Sequence, residues 1–471
     1  MCQNTVEPKF TQDPMEIILK IPCTDRLVFL VTGLSFLQPA LTGIQFYNLT
    51  LVASALVLGS RFHLTEISYM WLKEKSVSTL SYFFSHAKIS TPELQRLYLL
   101  QTMNTYDISN GYFIIDDTMK HHTKFCKWIH GVFFLFDHAA NTNLKAACIV
   151  FLYYSDGGII KFPIAFRTYY KENDQSVKWQ NDEQNKTIKK YDLAIEMIKW
   201  ATETGFPKCT VLADSWFCTG PFIKQLQDMK LNYVLEVKAN YKVKIISKSP
   251  KYTPTGRIAK NQTDKVELSK FFSTVNTSIR CGFLADLDTD RKEKALYITK
   301  VSTVRFNSIP GKHRVVESQI PETQIYKYLL TNRLIWEAKM IISTYSHRWV
   351  IEEFFKNAKQ FSDMEGATLR SKQGVTLSLC LVSWIDFLLH LENYKHCVTE
   401  KSPKESLTIP SIIRKAQHEN MMAFVKRVQE DNNFVKKWCD VTQERIYRKR
   451  KERKELAALG CADEAGYRKA A

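Results

Sequence analysis

The sequence predicts an α/β protein with a mixed β-sheet, flanking helices, a β-rich insertion and helical regions at both ends. Apolar runs rich in β-branched and aromatic residues begin at Gly111, and a stretch of helical periodicity at 189–204 separates two groups of them. A lysine-rich segment of short alternating runs follows. The 471 residues are 45% hydrophobic and 24% charged, as is typical of a folded chain with a large core.

The elements follow one another in a recognisable order. After a mostly helical start, in which Thr91 and Pro92 begin one helix, come three strands, a helix, a strand, a helix and a strand. The strands cover residues 111–118, 128–138, 144–154, 209–215 and 232–239, and the helices 189–204 and 221–229. This is the order of the ribonuclease-H-like fold, in which the first and fourth strands lie side by side. Both of these strands are predicted to end in acids, which would therefore converge.

Five regions are predicted along the chain. They are a helical DNA-binding region (1–100), the first part of a catalytic core (101–239), a β-rich insertion (240–332), the second part of the core (333–400) and a basic helical region (401–471).

The formal net charge is +18, which favours a polyanionic partner, with nucleic acid as the first candidate and a membrane surface as its competitor. The eleven cysteines include no CxxC pair and no Cys/His cluster, so we expect a reducing cytosol rather than a zinc or disulfide framework. Polar and Gly/Pro residues interrupt the apolar stretch 27–47, so its uninterrupted apolar runs are well short of the roughly 20 residues that a membrane span needs. The sequence thus predicts a cytoplasmic polyanion-binding protein.

Four polar or charged side chains are spaced so that they would lie along one face of a helix. Tyr345, Arg348, Glu352 and Lys359 are separated by three, four and seven residues. On a single helix they would fall within an arc of about 60°. Glu353 would lie off that stripe, and apolar residues on the other side would anchor the helix: Val350, Ile351, Phe354, Ala358 and Phe361. The stripe suits a phosphodiester held beside a metal-binding acid, and an ordinary solvated face is the alternative interpretation.

Three carboxylates could hold two hard cations at a phosphoryl group. The candidates are Asp116 or Asp117 after the first strand, Asp214 after the fourth, and Glu352 on the later helix. The sequence leaves the choice between Asp116 and Asp117 open, because a frayed strand end could present either.

The insertion begins with interleaved cations and aromatics, which suit a phosphate backbone and base stacking. Its candidate DNA-binding residues are Lys242, Lys244, Lys248 and Arg257. The alternative for each is a solvated loop residue.

These motifs resemble the cut-and-paste DDE transposases of bacterial insertion sequences, in the group with a Y-x2-R-x3-E-x6-K signature. Tyr345, Arg348, Glu352 and Lys359 match that signature, VLADS matches the second acid at Asp214, and IDDT matches the first. Because the acid of the family directly precedes the threonine, the resemblance favours Asp117. It spans about residues 105–390, and the text around the signature (TNRLIW, GATLRS) is similar as well.

The resemblance implies a recombinase with two Mg²⁺ ions, which Mn²⁺ would replace, held by Asp117, Asp214 and Glu352. Water would nick one strand, and the freed 3′-hydroxyl would cut the other, in related enzymes through a hairpin, before joining to target DNA. Arg348 and Tyr345 would grip terminal phosphates or steady a flipped base, and Lys359 would balance phosphate charge. The chain has no tryptophan between Trp216 and Trp336, so a Tyr or Phe would have to fill the place of a flipped base.

The implied partners are terminal inverted repeats and target DNA, bound by a homodimer in a synaptic complex near the bacterial nucleoid, without a membrane. Two alternatives remain. One is a metal-dependent DNA nuclease on the same fold, and the other is a catalytically silent DNA-binding protein derived from a transposase.

Overall fold

A ten-stranded mixed sheet forms the centre of the protein in the computed structural model, which describes residues 21–71, 76–122, 129–137, 140–170, 189–246, 263–275, 279–283, 295–319, 325–400, 406–431, 433–436 and 439. The strands before the insertion are β1 (Tyr112–His121), β2 (Val132–Asp137), β3 (Thr142–Ser155), β4 (Lys161–Tyr169), β5 (Thr210–Ala213) and β6 (Tyr233–Glu236). Those that follow are β7 (Lys242–Ile246), β8 (Thr263–Glu267), β9 (Ile279–Phe283), β10 (Ala295–Val304), β11 (His313–Gln319) and β12 (Tyr326–Thr331).

The strand order is β2-β3-β1-β5-β6-β12-β11-β10-β9, with β4 also paired to β3. β1 runs parallel to β5, and β5 parallel to β6, whereas β3 is antiparallel to β1. The first and fourth predicted strands are therefore neighbours, and this mixed sheet flanked by helices confirms the predicted ribonuclease-H-like fold class.

The acids of β1 lie inside that strand, not at its end as the sequence suggested. β1 continues to His121 because it stays paired with β3 over its whole length. Its parallel pairing with β5, however, stops at Ile115↔Ala213. Asp116 and Asp214 are the next residues on the two strands, so the predicted convergence arises where β5 ends.

The sequence interpretation missed β4, which pairs with β3 from Cys148↔Tyr169 to Ser155↔Lys161. Pro163 is the reason, because proline has no N–H to donate and is uncommon within paired strands. The pairing passes from Leu152↔Ala165 to Tyr153↔Pro163, so Ile164 is an extra residue at a β-bulge. The bulge accommodates the proline while the strand continues on both sides of it.

Helices cover the sheet and form both ends of the described chain. The first five are α1 (Val28–Gly33), α2 (Gly43–Val57), α3 (Leu64–Met70), α4 (Val77–Ser85) and α5 (Thr91–Thr105), with a 3₁₀ helix at Ser35–Ala40. The others are α6 (Lys190–Glu203), α7 (Gly220–Asp228), α8 (Leu268–Ser273), α9 (Ala338–Ser346), α10 (Trp349–Phe361), α11 (Lys372–Thr399) and α12 (Ile409–Glu430).

α11 is the central helix of the core. It contacts β4 and six helices, namely α1, α2, α4, α5, α10 and α12. It is long and apolar enough to cross a membrane, yet 94% of its most apolar window is buried inside the protein. Burial on all sides explains its apolar composition, because a helix enclosed by protein needs no polar face.

The four signature residues do not share one unbroken helix, which corrects the prediction. α9 ends at Ser346 and α10 begins at Trp349, with His347 and Arg348 forming a turn between them. Both turn residues keep right-handed helical dihedral angles, and the amides of Arg348, Val350 and Ile351 bond to the third carbonyl before them. The junction is thus a tightened 3₁₀-like turn that leaves the two helices nearly continuous.

The strands after β6 fall into two groups. β9–β12 extend the central sheet through the pairing of β12 with β6, and β7 and β8 form a separate antiparallel pair. Six cysteines are free and buried, namely Cys23, Cys148, Cys209, Cys218, Cys380 and Cys397, and Cys439 is free and exposed.

Candidate active site

Asp116 and Asp214 lie near each other where the parallel pairing of β1 and β5 ends. Asp116 follows the last parallel pair on β1, and Asp214 follows β5 directly. The Asp214 carboxylate lies close enough to Asp116 to raise its pKa. The backbone N–H of Trp216 donates to Asp214 Oδ1 at 3.0 Å, which fixes the turn that presents this acid.

Asp116 and Asp117 face opposite sides of the sheet, as neighbours on a strand do. Asp116 pairs in register with Phe151, whose ring contacts Phe354 of α10, so this face is the one that α10 covers. Asp117 instead accepts from Lys190 Nζ of α6 at 2.8 Å and contacts Cys148 Sγ at 3.3 Å. The two acids therefore have different cation partners.

Arg348 joins the third acid to the first. Its Nη1 donates to Asp116 Oδ2 at 2.9 Å, and its Nη2 donates to Glu352 Oε1 one helical turn further along α10. The three side chains are largely enclosed, with 13%, 18% and 33% of Arg348, Asp116 and Glu352 exposed. One guanidinium thus bridges a strand acid and a helix acid.

Apolar packing sets the position of α10, as the sequence predicts. Val350, Ile351, Phe354 and Ala358 are buried, and Phe361 is partly buried. Glu353 forms an ion pair with Lys161 of β4 at 2.7 Å, on a different side of the helix from the Arg348–Glu352 pair. This distinguishes Glu352 from its neighbour by partner as well as by angle.

The site concentrates negative charge in a poorly solvated place. Burial, with the nearby Asp214 carboxylate, raises the pKa of Asp116 to about 7, although Arg348 opposes the shift. Burial likewise raises the pKa of Asp214, with Asp117 adding to the effect and the Trp216 N–H opposing it. The positive groups of the protein therefore do not fully offset the negative charge of these carboxylates. A bound cation would stabilise their ionised forms.

Tyr345 and Lys359 have protein partners. Tyr345 is buried, its hydroxyl donates to Glu236 Oε2 at the end of β6 at 3.0 Å, and the Arg348 guanidinium lies 5.8 Å from its ring centre. Burial raises the pKa of Tyr345 above its ordinary value. Lys359 pairs with Glu365 at 2.9 Å. Sequence reasoning missed Glu236, because a single acid at the end of a short strand has no motif around it.

Trp216 is a second residue that sequence reasoning did not place at the site. It lies two residues after Asp214, the residue is 41% exposed, and the Lys190 ammonium lies 4.8 Å from its ring centre. Since Lys190 also pairs with Asp117, the exposed indole stands beside the acids. The position of Trp216 directly after VLADS was the available signal.

The predicted DNA-binding cations of the insertion are only partly described. Lys242 and Lys244 are exposed on β7, whereas Lys248 and Arg257 lie outside the described residues.

No group of three or more acidic, His or Cys side chains among the described residues is positioned to hold a metal ion. The donor set nevertheless fits a hard divalent cation, because its available atoms are carboxylate oxygens. Arg348 now neutralises two of these carboxylates, so a cation and this guanidinium would compete for the same oxygens.

Asp116 and Asp214 lie where the parallel pairing of β1 and β5 ends, and Arg348 links Asp116 to Glu352 of α10. Carboxylates and a guanidinium in this arrangement suit phosphoryl transfer on a nucleic acid. The chain matches two family models, "DDE superfamily endonuclease" over residues 49–271 and "Transposase DDE domain" over residues 188–385. Together the two matches run from residue 49 to residue 385, and they support a general transposase or endonuclease function for the chain. Enzymes of the DDE superfamily act on DNA and generally use divalent metals. No curated protein matches the chain.

Proposed function

We propose that this chain is a DNA transposase of the bacterial insertion-sequence type with the Y-R-E-K signature. It cleaves the ends of its element by phosphodiester hydrolysis and transesterification and joins the 3′-hydroxyl ends to target DNA. The observation that carries the proposal is that Arg348 joins Asp116 to Glu352, while the Asp214 carboxylate lies close enough to Asp116 to raise its pKa.

Asp116, rather than Asp117, is the first acid of the proposed trio. It lies on the face of the sheet that α10 covers and shares Arg348 with Glu352. Asp117 would act as a supporting residue that holds Lys190 beside Trp216. The sequence resemblance favours Asp117, so this assignment rests on the contacts alone.

Asp116, Asp214 and Glu352 are the residues that would hold Mg²⁺ or Mn²⁺. When bound, two such ions activate the attacking oxygen and neutralise the leaving oxygen of an in-line displacement. The carboxylates themselves must be deprotonated to bind a cation, which favours binding above the pKa of Asp116, about 7 in the metal-free site.

The cationic side chains of α9 and α10 position the DNA. Arg348 can bind a phosphate through two N–H groups once a cation replaces it at the acids. Lys359 lies two helical turns beyond Glu352 and can neutralise a more distant phosphate as a point charge. The ring of Tyr345 packs near the Arg348 guanidinium, and its hydroxyl bonds the end of α9 to Glu236.

Replacement of Asp214 by Asn tests the function. Asp214→Asn should abolish Mg²⁺-dependent nicking of DNA that carries the terminal repeats flanking the gene, because the amide loses the charge that holds the ions. Binding to the same DNA should persist. Asp228→Asn, at an exposed acid of the same segment, is the matched control and should cut normally. Cutting by Asp214→Asn at the control rate would remove Asp214 from the mechanism.

The products of the wild-type reaction separate the proposal from its alternatives. Joined donor–target molecules identify a transposase, whereas nicks without joining identify a metal-dependent nuclease on the same fold. A hairpin-ended fragment would show that the opposite strand is cut by the freed 3′-hydroxyl. DNA binding without any cutting would identify a catalytically silent derivative.

The same proposal implies an oligomeric state and a place of action. Two chains would bring two element ends together in a synaptic homodimer, and the enzyme would act in the bacterial cytoplasm at the nucleoid. Analytical ultracentrifugation of the chain with paired element ends should show two protein chains in the complex.

A further inference from the structure

An open cavity of about 560 Å³ lies where the start of α7 meets β7 and the segment after β10. Lys224, Lys244 and Arg305 line it, each from a different element, and all three are exposed. No acidic side chain is among its lining residues, and none of the three cations has an ion-pair partner within the described part of the chain. We call this cavity the basic groove.

Backbone pairing holds two of these cations side by side. The N–H of Lys244 donates to the carbonyl of Arg305 at 2.8 Å, next to the bridge between Val243 and Phe306. Val243 and Phe306 are buried, so the neighbouring Lys244 and Arg305 both point outwards. Lys244 and Arg305 are therefore presented on one surface.

Lys265, which does not line the groove, continues the row formed by Lys244 and Arg305. Lys265 of β8 is directly opposite Lys244 and is also exposed. The order across the three paired segments is thus Arg305, Lys244, Lys265. Like charges directly opposite one another destabilise a sheet, so this arrangement is unfavourable unless an anion compensates for it. A row of exposed cations without an ion-pair partner among the described residues is an arrangement that a phosphate backbone can neutralise.

The groove is connected to the acid cluster. α7 begins six residues after Asp214, and Tyr241, just before β7, donates its hydroxyl to the carbonyl of Cys218 in that connection at 2.8 Å. Six residues span at most about 22 Å. At about 3.4 Å per phosphate along one strand, the groove lies within roughly six nucleotides of the acids.

We propose that the basic groove binds the sugar–phosphate backbone of duplex DNA a few nucleotides from the cleaved bond. This inference rests on the proposed function, because it takes DNA as the substrate, and it adds Lys224, Arg305 and Lys265 to the DNA-binding surface. The groove makes no base contacts and positions the duplex without regard to sequence.

The salt dependence of DNA binding tests the groove. The full-length variant K244A/R305A should bind a fluorescein-labelled duplex of random sequence more weakly than the wild type. Its slope of log affinity against log salt should be smaller in magnitude by up to about 1.8, since each lost phosphate contact removes about 0.9. The control K199A/K415A removes two exposed lysines of α6 and α12 and should keep the wild-type slope. Equal thermal unfolding midpoints would show that both variants are folded.

The outcomes distinguish the groove from the proposed function. If the wild type cuts DNA and K244A/R305A keeps the wild-type slope, the groove proposal is wrong and the transposase proposal stands. If the wild type neither binds nor cuts DNA, both are wrong. A reduced slope for K244A/R305A, with cutting intact in the control, supports both.

Discussion

Asp116 and Asp117 are adjacent carboxylates held by different cations on opposite faces of β1. The sequence could not separate them, because both follow the same apolar run and only the helix that covers one face distinguishes them. The Asp116 face belongs to α10 through the contact between Phe151 and Phe354. That contact joins residues far apart in the chain and is not visible in any local pattern.

Replacement of each aspartate by Asn should give unequal losses. Asp116→Asn should lower metal-dependent DNA cleavage more than about a hundredfold, because it removes a proposed cation ligand. Asp117→Asn should cost about ten- to a hundredfold, the range for residues that support ligands. Single-turnover cleavage rates measure both. A larger loss in Asp117→Asn than in Asp116→Asn would reverse the assignment.

Arg348 bonds the same carboxylates that a cation would bind. Its removal should therefore affect metal binding and DNA cleavage in opposite directions. Arg348→Ala should bind Mn²⁺ more tightly than the wild type in the absence of DNA, because a competing positive charge is gone. The same variant should cleave DNA poorly, because the guanidinium no longer positions phosphate.

Mn²⁺ titration followed by calorimetry measures the first effect and a cleavage assay the second. Lys356→Ala, at an exposed lysine of the same helix, is the control for the loss of one positive charge. Weaker Mn²⁺ binding by Arg348→Ala would mean that the guanidinium supports the site instead of competing for it.

At the scale of elements, the sequence predicted the strands and helices that carry strong apolar patterns. β1, β5 and α6 are found where the runs 111–118, 209–215 and 189–204 indicated them. β4 was missed because Pro163 weakens its strand pattern, and the turn at His347 was missed because nothing between Tyr345 and Glu352 breaks a helix by composition. Tertiary pairing and packing decide both places.

The central helix α11 carries a buried acid, Asp386, which accepts a hydrogen bond from Tyr153 of β3 at 3.0 Å and has His390 at 3.8 Å. Burial raises the pKa of Asp386 to about 8, with Glu353 adding to the shift and Tyr153 and Lys161 opposing it. The folded state therefore holds this proton at a pH at which the unfolded chain has lost it. Stability from this group falls as the pH rises from about 4 to about 8.

Asp386→Asn should flatten the pH dependence of the free energy of unfolding. Between about pH 6.5 and pH 8, the wild type should lose stability relative to the variant by at most about 1.4 kcal/mol per pH unit. Urea unfolding at several pH values measures the difference, and Asp116 contributes equally to both proteins. Parallel pH profiles would show that Asp386 is ionised throughout this range.

At the scale of the whole molecule, the excess of positive charge and the fold indicate the same substrate. The net charge of +18 favours a polyanion, and the basic groove and the α10 cations provide surfaces for it. The sheet continues from β6 into β12, so the strands that lead to the groove are joined to those that carry the acids. Such a continuous sheet can hold DNA-binding and cleaving groups at fixed separation.

The proposed function depends most on Asp116, Asp214 and Glu352 jointly binding divalent ions. The most direct measurement is anomalous scattering from a crystal of the protein with DNA soaked in Mn²⁺ above pH 7, where Asp116 is largely ionised. We predict manganese peaks within coordination distance of all three carboxylates, with Arg348 moved from them towards phosphate. Manganese bound only elsewhere, or by Asp117 in place of Asp116, would contradict it.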